Sequence, residues 1–348
     1  MKKITIGLFC FLFLGMTGCI KDTPISSIQI PLTGEKVAVL CEGNYMWNNA
    51  QLDMYYPDSN VVHSNVFEQV NGKPLGDVLQ SGFFDGQYLW LSVNNTGKLV
   101  KISPKTFKEV KSKIGFKSPR YLAQYNGNLW ITDILANKII RCDTQNLNTL
   151  SEVPCLPNKS GLRAGWSEEI VVWDNHIFAA LYDGFLMKIN PLNNQTNYIK
   201  VDTGAQHLAI DKLNRLWVAS SVNGKASLTM FKSNDTLPQF IIHFPMASSI
   251  QKLKLNPNKD KIYFILNGTL KSLDINASNY SDIVSIPLTK SPKNMYTLGI
   301  HPRSGNIYIG DAKDYISNGE VFIFKTDGSW VSSFSTGIIP TDFVFITD

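Results

Sequence analysis

The chain lacks the motifs of the common enzyme classes and the charge of a nucleic-acid-binding protein. It contains no His-Glu-x-x-His zinc motif, no Gly-x-Ser-x-Gly nucleophile elbow and no P-loop. Its 348 residues include 33 Lys and Arg against 28 Asp and Glu, and a formal charge of +5 is too weak to favour nucleic acid. We therefore predict no catalytic residue, no cofactor and no nucleic-acid partner.

Clustered metal ligands are also missing. The five histidines include no pair at the spacing of a metal site. Asp53, Asp133, Asp183 and Asp311 are spread along the chain, and no Asp-x-Asp-x-Asp-Gly calcium loop collects them. We predict no metal site, although a fold can still gather ligands from distant segments.

Long hydrophobic runs are absent, and the one short run lies at the N-terminus. Lys2 and Lys3 precede the apolar residues 4–14, which are fewer than the roughly 17 to 25 that a transmembrane helix needs. Residues 1–18 are therefore predicted to be a secretory signal peptide. The sequence Met16-Thr17-Gly18-Cys19 resembles a bacterial lipobox, which implies cleavage before Cys19 and its diacylation. The alternative is an ordinary signal peptide in which Cys19 has no role.

Acyl chains on Cys19 would anchor a soluble domain stably to a membrane. Residues 19–34 are then expected to form a tether, and residues 35–348 a single domain. Beyond Cys10 and Cys19, only Cys41, Cys142 and Cys155 remain, an odd and widely spaced set. Such a set predicts buried thiols. A Cys142–Cys155 bridge remains open for an exported protein, although the two residues fall out of register on successive predicted strands.

One pattern does recur: a polar or turn residue followed by an apolar, aromatic strand core. The six copies are centred on Trp90, Trp130, Phe178, Trp217, Tyr263 and Tyr308, with spacings of 40, 48, 39, 46 and 45 residues. A period of about 40 to 50 residues built from short strands is typical of β-propeller blades. No Gly-His and Trp-Asp pair recurs with this period, so the repeats are not WD40 repeats. We interpret the recurring aromatic residues as core between neighbouring sheets.

Each repeat predicts four strands, most clearly at residues 120–125, 129–134, 138–143 and 149–153, with Asn126-Gly127 as the first hairpin turn. The equivalent first strands begin near Asp77, Trp166, Gln206, Ser249 and Asn294. Six such units leave two unmatched ends. The N-terminal strands 36–42, 52–56 and 61–66 lack a first strand, and residues 341–346 can supply it. We therefore predict an all-β, seven-bladed β-propeller whose ring is closed by a C-terminal strand joining the N-terminal blade.

Loops at one face of a propeller converge on its central channel, and here those loops are rich in aromatic and amide side chains. We predict a binding site for a large ligand of mixed polarity, because aromatic rings cover apolar surface while amides donate and accept hydrogen bonds. The candidates on loops between second and third strands are Asn44, Tyr45, Trp47, Asn94, Asn95, Asp133, Tyr182, Asp183, Asn223, Asp311 and Tyr315. Those leading into first strands are Arg120, Trp166, Glu168, Gln206, His207, Gln251, Asn294 and Tyr296. The alternative for the loop Asn and Asp residues is that they only stabilise turns.

Three segments resemble a known family. Leu40-Cys41-Glu42-Gly43-Asn44, Asn71-Gly72-Lys73-Pro74-Leu75-Gly76-Asp77 and Ser118-Pro119-Arg120-Tyr121 are similar to the opening blades of the YncE-like propeller lipoproteins of Bacteroidetes. The similarity covers most of the mature chain and is sharpest over residues 36–155. Some members, the BtuG-like proteins, capture cobalamin at the cell surface and pass it to a TonB-dependent outer-membrane transporter. The resemblance thus implies an outer-membrane lipoprotein, exposed at the cell surface, that captures a corrinoid.

Two other functions stay open on the sequence. A glycan-binding or scaffold propeller would use the same exposed aromatic residues. A propeller lyase or lactonase would need a histidine and an acid, and His207 with Glu168 on adjacent blades is the pair to test.

Overall fold

A computed structural model describes residues 34–155, 165–277 and 279–347 of the chain. The predicted signal peptide, the predicted lipidation site Cys19 and all but the last residue of the predicted tether lie outside these described residues. Within them the chain forms seven four-stranded antiparallel sheets. No helix in the described ranges is both long enough and apolar enough to cross a membrane.

The seven sheets are the blades, and the strands of each are given from the channel outwards. Blade 1 contains β28 (Pro340–Ile346), β1 (Lys36–Cys41), β2 (Gln51–Tyr56) and β3 (Val61–His63). Blade 2 contains β4 (Leu79–Phe84), β5 (Leu89–Val93), β6 (Lys98–Ile102) and β7 (Glu109–Ile114). Blade 3 contains β8 (Pro119–Tyr125), β9 (Asn128–Asp133), β10 (Lys138–Asp143) and β11 (Thr149–Pro154). Blade 4 contains β12 (Ser167–Trp173), β13 (His176–Leu181), β14 (Phe185–Ile189) and β15 (Thr196–Lys200).

The remaining three blades follow the same plan. Blade 5 contains β16 (Ala205–Ile210), β17 (Leu216–Val222), β18 (Lys225–Phe231) and β19 (Phe240–His243). Blade 6 contains β20 (Ile250–Leu255), β21 (Lys261–Leu266), β22 (Thr269–Asp274) and β23 (Val284–Ser285), with a 3-10 turn at Tyr280–Asp282. Blade 7 contains β24 (Met295–Ile300), β25 (Ile307–Asp311), β26 (Glu320–Phe324) and β27 (Trp330–Ser335). The innermost strands of neighbouring blades contact each other all the way around the ring. The predicted seven-bladed propeller is confirmed.

Blade 1 closes the ring as predicted. Its innermost strand β28 pairs with β1, from Lys36 opposite Ile346 to Leu40 opposite Asp342. Beyond the ladder, the amide N–H of Glu42 donates to the carbonyl of Ile339 at 3.0 Å. Pairing of this kind leaves no open edge between the first and last blades.

The recurring aromatic residues form the core, as predicted. Trp90, Trp130, Phe178 and Trp217 are all buried, and apolar side chains pack in clusters between neighbouring blades. Cys41, Cys142 and Cys155 are buried free thiols, so the alternative Cys142–Cys155 bridge does not form. In the first hairpin turn of blade 3, Asn126 and Gly127 both have positive φ, at 47° and 70°. This is the geometry that an Asn-Gly turn favours.

One predicted strand is wrong. Residues 61–66 were expected to be extended, but β3 ends at His63 and a short helix, α1, spans Val66–Asn71. The helix buries Val66 and Phe67, which a continued strand would place on opposite faces. The side chain of Asn71 then joins α1 to blade 2, since its amide group donates to the carbonyl of Phe107 at 2.9 Å.

Every blade carries an irregularity at the same place. The pairing of each innermost strand with its neighbour shifts register near the start of the innermost strand. Such bulges redirect side chains and are frequent at rims and binding sites. Residues at six of the seven bulges line one cavity, which is described below.

Candidate functional site

The mouth of the central channel holds a polar cavity of about 150 Å³. Six blades contribute to it through the first residues of their innermost strands. The lining residues are Gln80, Arg120, Tyr121, Gln206, His207, Gln251, Lys252, Tyr296 and Thr341. Sequence reasoning named Arg120, Gln206, His207, Gln251 and Tyr296 among them. It missed Gln80, Tyr121, Lys252 and Thr341, whose common position one or two residues into each innermost strand is the signal that would have found them.

Blade 4 completes the ring of polar residues through two adjacent glutamates. Glu168 lies 2.9 Å from Nε of Arg120, and Oε1 of Glu169 lies 2.9 Å from Nδ1 of His207. The backbone N–H of Leu208 donates to the second oxygen of Glu169 at 2.8 Å. The expected pairing of His207 with Glu168 is therefore wrong by one residue. The bulge between Ser167 and Ile170 causes the difference, because it directs both glutamates towards neighbouring blades.

Burial and charge shift the acid–base properties of this ring. Burial alone would raise the pKa of Glu169, but His207, Lys254 and the Leu208 N–H outweigh it and lower that pKa to about 2. Burial raises the pKa of Glu42, whose Oε1 accepts a hydrogen bond from the Tyr296 hydroxyl at 3.0 Å. Burial also raises the pKa of Tyr296. Both glutamates of blade 4 thus have partners within the protein, Glu168 with Arg120 and Glu169 with His207.

Lys252 has an unusual backbone within this ring. Its φ of 55° lies in the left-handed region, although the residue is inside β20 and is not glycine. Its Nζ donates to the carbonyl of Thr341 at 3.0 Å, and burial lowers the pKa of its ammonium group. A strained backbone at the bulge thus places a lysine across the mouth of the channel.

The loop between β1 and β2 presents the most exposed apolar side chains near the channel. Tyr45, Met46 and Trp47 are 67%, 76% and 75% exposed. The backbone beneath them is fixed, since the Met46 N–H donates to Asp77 at 2.7 Å and the Asn44 N–H donates to Asn49 at 2.8 Å. The loop therefore offers exposed rings on a well-anchored backbone.

Blade 7 extends this surface. The Asn44 side chain donates to the carbonyl of Tyr315 at 3.4 Å, which places the two loops side by side. The ring of Tyr315 stands perpendicular to that of Tyr296 at 5.9 Å, and Ile316 beside it is exposed. We call Tyr45, Met46, Trp47, Tyr315 and Ile316 the rim patch. Tyr296 and Glu42 connect the rim patch to the channel mouth.

Several predicted site residues have structural hydrogen bonds instead of free polar atoms. Asp133 is fully buried and accepts hydrogen bonds from the N–H groups of Lys117, Ser118 and Ala136. Asp311 is buried in the same way and accepts from the N–H groups of Lys293, Asn294 and Lys313. Both carboxylates fix the segment that leads into the innermost strand. We therefore leave Asp133 and Asp311 out of the ligand-contacting set.

Four other candidates also support loops. Asn94 donates to the carbonyl of Pro119 at 3.0 Å, and Asn95 donates to Asp77 at 2.6 Å. Asp183 accepts from the Gly165 N–H at 3.4 Å. Asn223 has φ of 50° in the turn after β17. Their roles in ligand binding stay predictions.

Trp166 and Tyr182 form an aromatic pair on blade 4, with ring centroids 6.5 Å apart. Both side chains are half-buried. They are separate from the rim patch, which blades 1 and 7 build. Among the residues that the structure describes, no group of three or more His, Cys, Asp and Glu side chains could hold a metal ion.

Comparison with known proteins supports the fold alone. No family profile and no curated protein matches the sequence. Among solved structures, a quinoprotein alcohol dehydrogenase-like protein from Bacteroides thetaiotaomicron is 12% identical with a TM-score of 0.69, over 92% of this chain and 80% of that one. A protein from Lactobacillus plantarum is 10% identical with a TM-score of 0.67, over 90% and 99% of the two chains. A streptogramin B lyase is 12% identical with a TM-score of 0.57, over 76% and 85%. The chain is thus a seven-bladed β-propeller, and membership of the YncE-like family stays a prediction.

Proposed function

We propose that this protein is an outer-membrane lipoprotein that captures a large nutrient ligand, a corrinoid such as cobalamin, and hands it to a TonB-dependent transporter. The observation that carries the proposal is the rim patch beside a polar channel mouth. A corrinoid presents an apolar ring edge together with peripheral amides. The rings of Tyr45 and Trp47 can pack against the apolar ring edge of the ligand. The amides of Gln80, Gln206 and Gln251 can form hydrogen bonds with its peripheral amides.

The anchored backbone of this surface favours capture. Tyr and Trp side chains bury a large area with only two rotatable bonds to order. Because hydrogen bonds already fix the loop beneath Tyr45 and Trp47, little conformational entropy remains to be lost on binding. Capture followed by release to a transporter needs no catalytic group.

The first test is titration of the purified domain, from Ser27 onwards, with cyanocobalamin in a calorimeter, followed by the visible spectrum after desalting. We expect one ligand per chain, and loss of binding in the double variant Tyr45→Ala, Trp47→Ala. Trp330→Ala is the matched control, because Trp330 is a partly exposed aromatic residue on the outermost strand of blade 7. Binding that survives the double variant would contradict the proposed face. No heat and no retained colour would overturn the corrinoid assignment and direct attention to glycans.

The lipid anchor has its own test. In a bacterial host that lipidates lipoproteins, we expect the full chain to label with a radioactive fatty acid and to sediment with membranes. Cys19→Ser should abolish both, whereas Cys10→Ser, within the same segment, should change neither. Equal labelling of the two variants would contradict acylation at Cys19.

A second candidate function rests on the buried pair of His207 and Glu169. An imidazole oriented by a carboxylate at 2.9 Å can accept a proton, as a propeller lyase or lactonase would require. If the protein opens lactone probes, His207→Gln should abolish turnover and leave probe binding intact. Absence of turnover by the unmodified protein would exclude this function for those probes.

A further inference from the structure

The cavity at the channel mouth has an uneven distribution of charge along its wall. Arg120, His207 and Lys252 line it, and no Asp or Glu is among the described residues of that wall. The glutamates that pair with Arg120 and His207 belong to blade 4 and lie outside the lining. A group that enters the cavity therefore meets basic and amide side chains and no carboxylate of the wall.

Arg120 keeps hydrogen-bond donors available for such a group. Its Nε lies 2.9 Å from Glu168 and is closed off by the surrounding atoms. The two terminal nitrogens donate no hydrogen bond to any residue that the structure describes, and the side chain as a whole is 24% exposed. Two free nitrogens of a planar guanidinium match the spacing of the oxygens in a carboxylate or a phosphate.

Lys252 faces the same cavity from across the ring, since blades 3 and 6 are three positions apart. Its Nζ donates to the carbonyl of Thr341 at 3.0 Å, which uses one of the three hydrogen bonds that an ammonium group can donate. The side chain is half-buried, so part of it is accessible from the cavity. Its left-handed φ of 55° is the kind of backbone strain that is frequent at ligand sites.

The neighbouring acids leave Lys252 without an ion pair among the described residues. Glu168 and Glu169 are paired within the ring as described above, and Asp342 lies 3.8 Å from Lys254. The ammonium group of Lys252 therefore has a positive charge that no carboxylate contacts directly.

Glu42 is the carboxyl group that competes most directly with a ligand anion. Its Oε1 accepts a hydrogen bond from the Tyr296 hydroxyl at 3.0 Å. Burial raises the pKa of Glu42, although the positive charges of Lys252 and Arg120 act to lower it. The raised pKa favours the neutral carboxyl, which does not repel an anion as a carboxylate would.

We propose that the cavity at the channel mouth is a subsite for one oxyanion group, a carboxylate or a phosphate, held between Arg120 and Lys252. Its volume of about 150 Å³ is below that of typical small-molecule sites, so the subsite takes a single group. The subsite deepens the proposed function and rests on it for a larger ligand, the remainder of which would lie on the rim patch. A free anion of the same chemistry fits without that larger ligand.

The first test is titration of the purified protein with inorganic phosphate and with acetate at constant ionic strength, followed by NMR and calorimetry. We expect Lys252→Met to weaken binding by about tenfold or more, because a hydrogen bond from a charged group is lost. Lys259→Met is the matched control and should bind as the unmodified protein does. Lys259 is an exposed lysine of the same blade, in the turn after β20, with a nearly equal φ of 53°.

Two further variants keep the test decisive if Lys252→Met does not fold. Arg120→Lys retains a cation beside Glu168 but loses the planar guanidinium, and it should weaken binding by about threefold or more. Glu42→Gln removes a competing negative charge and should tighten binding by about threefold or more. A purely structural role of these side chains would not change affinity in opposite directions.

The two sources of the anion are distinguished with cyanocobalamin, which carries one phosphodiester, and dicyanocobinamide, which carries none. Tighter binding of cyanocobalamin that Lys252→Met removes would support a group of a larger ligand. Phosphate binding by a protein that binds neither corrinoid would support the subsite and overturn the corrinoid assignment.

The subsite itself is overturned if neither phosphate nor acetate binds and the two corrinoids bind alike. It is also overturned if Lys252→Met and Arg120→Lys bind the anions as tightly as the unmodified protein. Tyr45→Ala with Trp47→Ala should leave phosphate binding unchanged, so failure of the rim patch and failure of the subsite give different results.

Discussion

Individual carboxylates fix much of the channel face, and the sequence does not separate them from ligand-binding acids. Asp53 is fully buried and accepts hydrogen bonds from the Thr336 hydroxyl at 2.7 Å and from the Gly337 N–H at 2.9 Å. Asp133 and Asp311 bind backbone N–H groups in the same way. An acid at the end of a second strand, such as Asp133 or Asp311, looks the same in the sequence whether it binds a ligand or a turn. Only its burial and its partners distinguish the two.

Glu169 should make the stability of the protein depend on pH in the acid range. Its pKa falls from an ordinary 4.5 to about 2 in the folded protein. A lowered folded-state pKa adds stability that is complete above the unfolded pKa and is lost as the pH falls towards 2. We expect Glu169→Gln to lower the unfolding temperature at pH 7 and to flatten the decline in stability between about pH 4.5 and pH 2.

Thermal unfolding followed by circular dichroism across that range provides the measurement. Glu68→Gln, at an exposed glutamate of α1, is the control and should follow the unmodified protein. An acid transition that Glu169→Gln leaves unchanged would contradict the assigned role.

At the scale of the element, the sequence predicted the positions of the strands better than the bulges near their ends. The four strands predicted for blade 3 agree with β8 to β11 within one residue or so at each end. The bulges were not predicted, because alternation of apolar residues does not record one extra residue in a strand. They determine that Glu169 and not Glu168 meets His207. The helix α1 was missed because its six residues are too few for a helical period to appear.

Two turn glycines provide a test of how tightly the elements pack. Gly97, between β5 and β6, has φ of 63°, and a Cβ there would lie 2.1 Å from the carbonyl oxygen of Phe116. Gly127, between β8 and β9, has φ of 70°, and a Cβ there would meet nothing within 4 Å. Gly127→Ala should lower the free energy of unfolding by only about 1 to 2 kcal/mol, the cost of placing an alanine in the left-handed region. Gly97→Ala should lower the free energy of unfolding by clearly more, because the backbone at Phe116 must move to make room for the new Cβ.

Urea unfolding of the two alanine variants measures this difference in the free energy of unfolding. Because both glycines have positive φ, Gly127→Ala is the matched control for backbone strain. Equal losses in the two variants would mean that the Phe116 carbonyl moves aside freely.

For the whole molecule, the architecture could be predicted from the sequence, whereas the candidate binding surface could be predicted only in part. The spacing of six aromatic strands and the unmatched ends predicted seven blades and their closure, because core periodicity must repeat in every blade. The rim patch was predicted only in part. Tyr45, Trp47 and Tyr315 were named, but the exposed Ile316 was not, since exposure of a loop residue depends on how neighbouring blades pack.

Closure of the ring should make the C-terminal strand essential for stability. Deleting residues 340–348 removes β28, exposes the edge of β1 and opens the contacts of β28 with β4 and β24. We expect the truncated chain to be insoluble, or to unfold at a much lower temperature, in differential scanning fluorimetry. Deleting only residues 347 and 348, which follow β28, should have little effect. A soluble and stable chain without β28 would contradict closure by this strand.

The pairing of β28 with β1 also affects how the chain can fold during its synthesis. Lys36 leaves the ribosome about 300 residues before its partner Ile346. Until then the ring has two bare sheet edges, and a partial chain cannot complete blade 1 at any shorter length. Interrupted synthesis would therefore leave fragments with exposed strand edges, which can pair with other chains and aggregate.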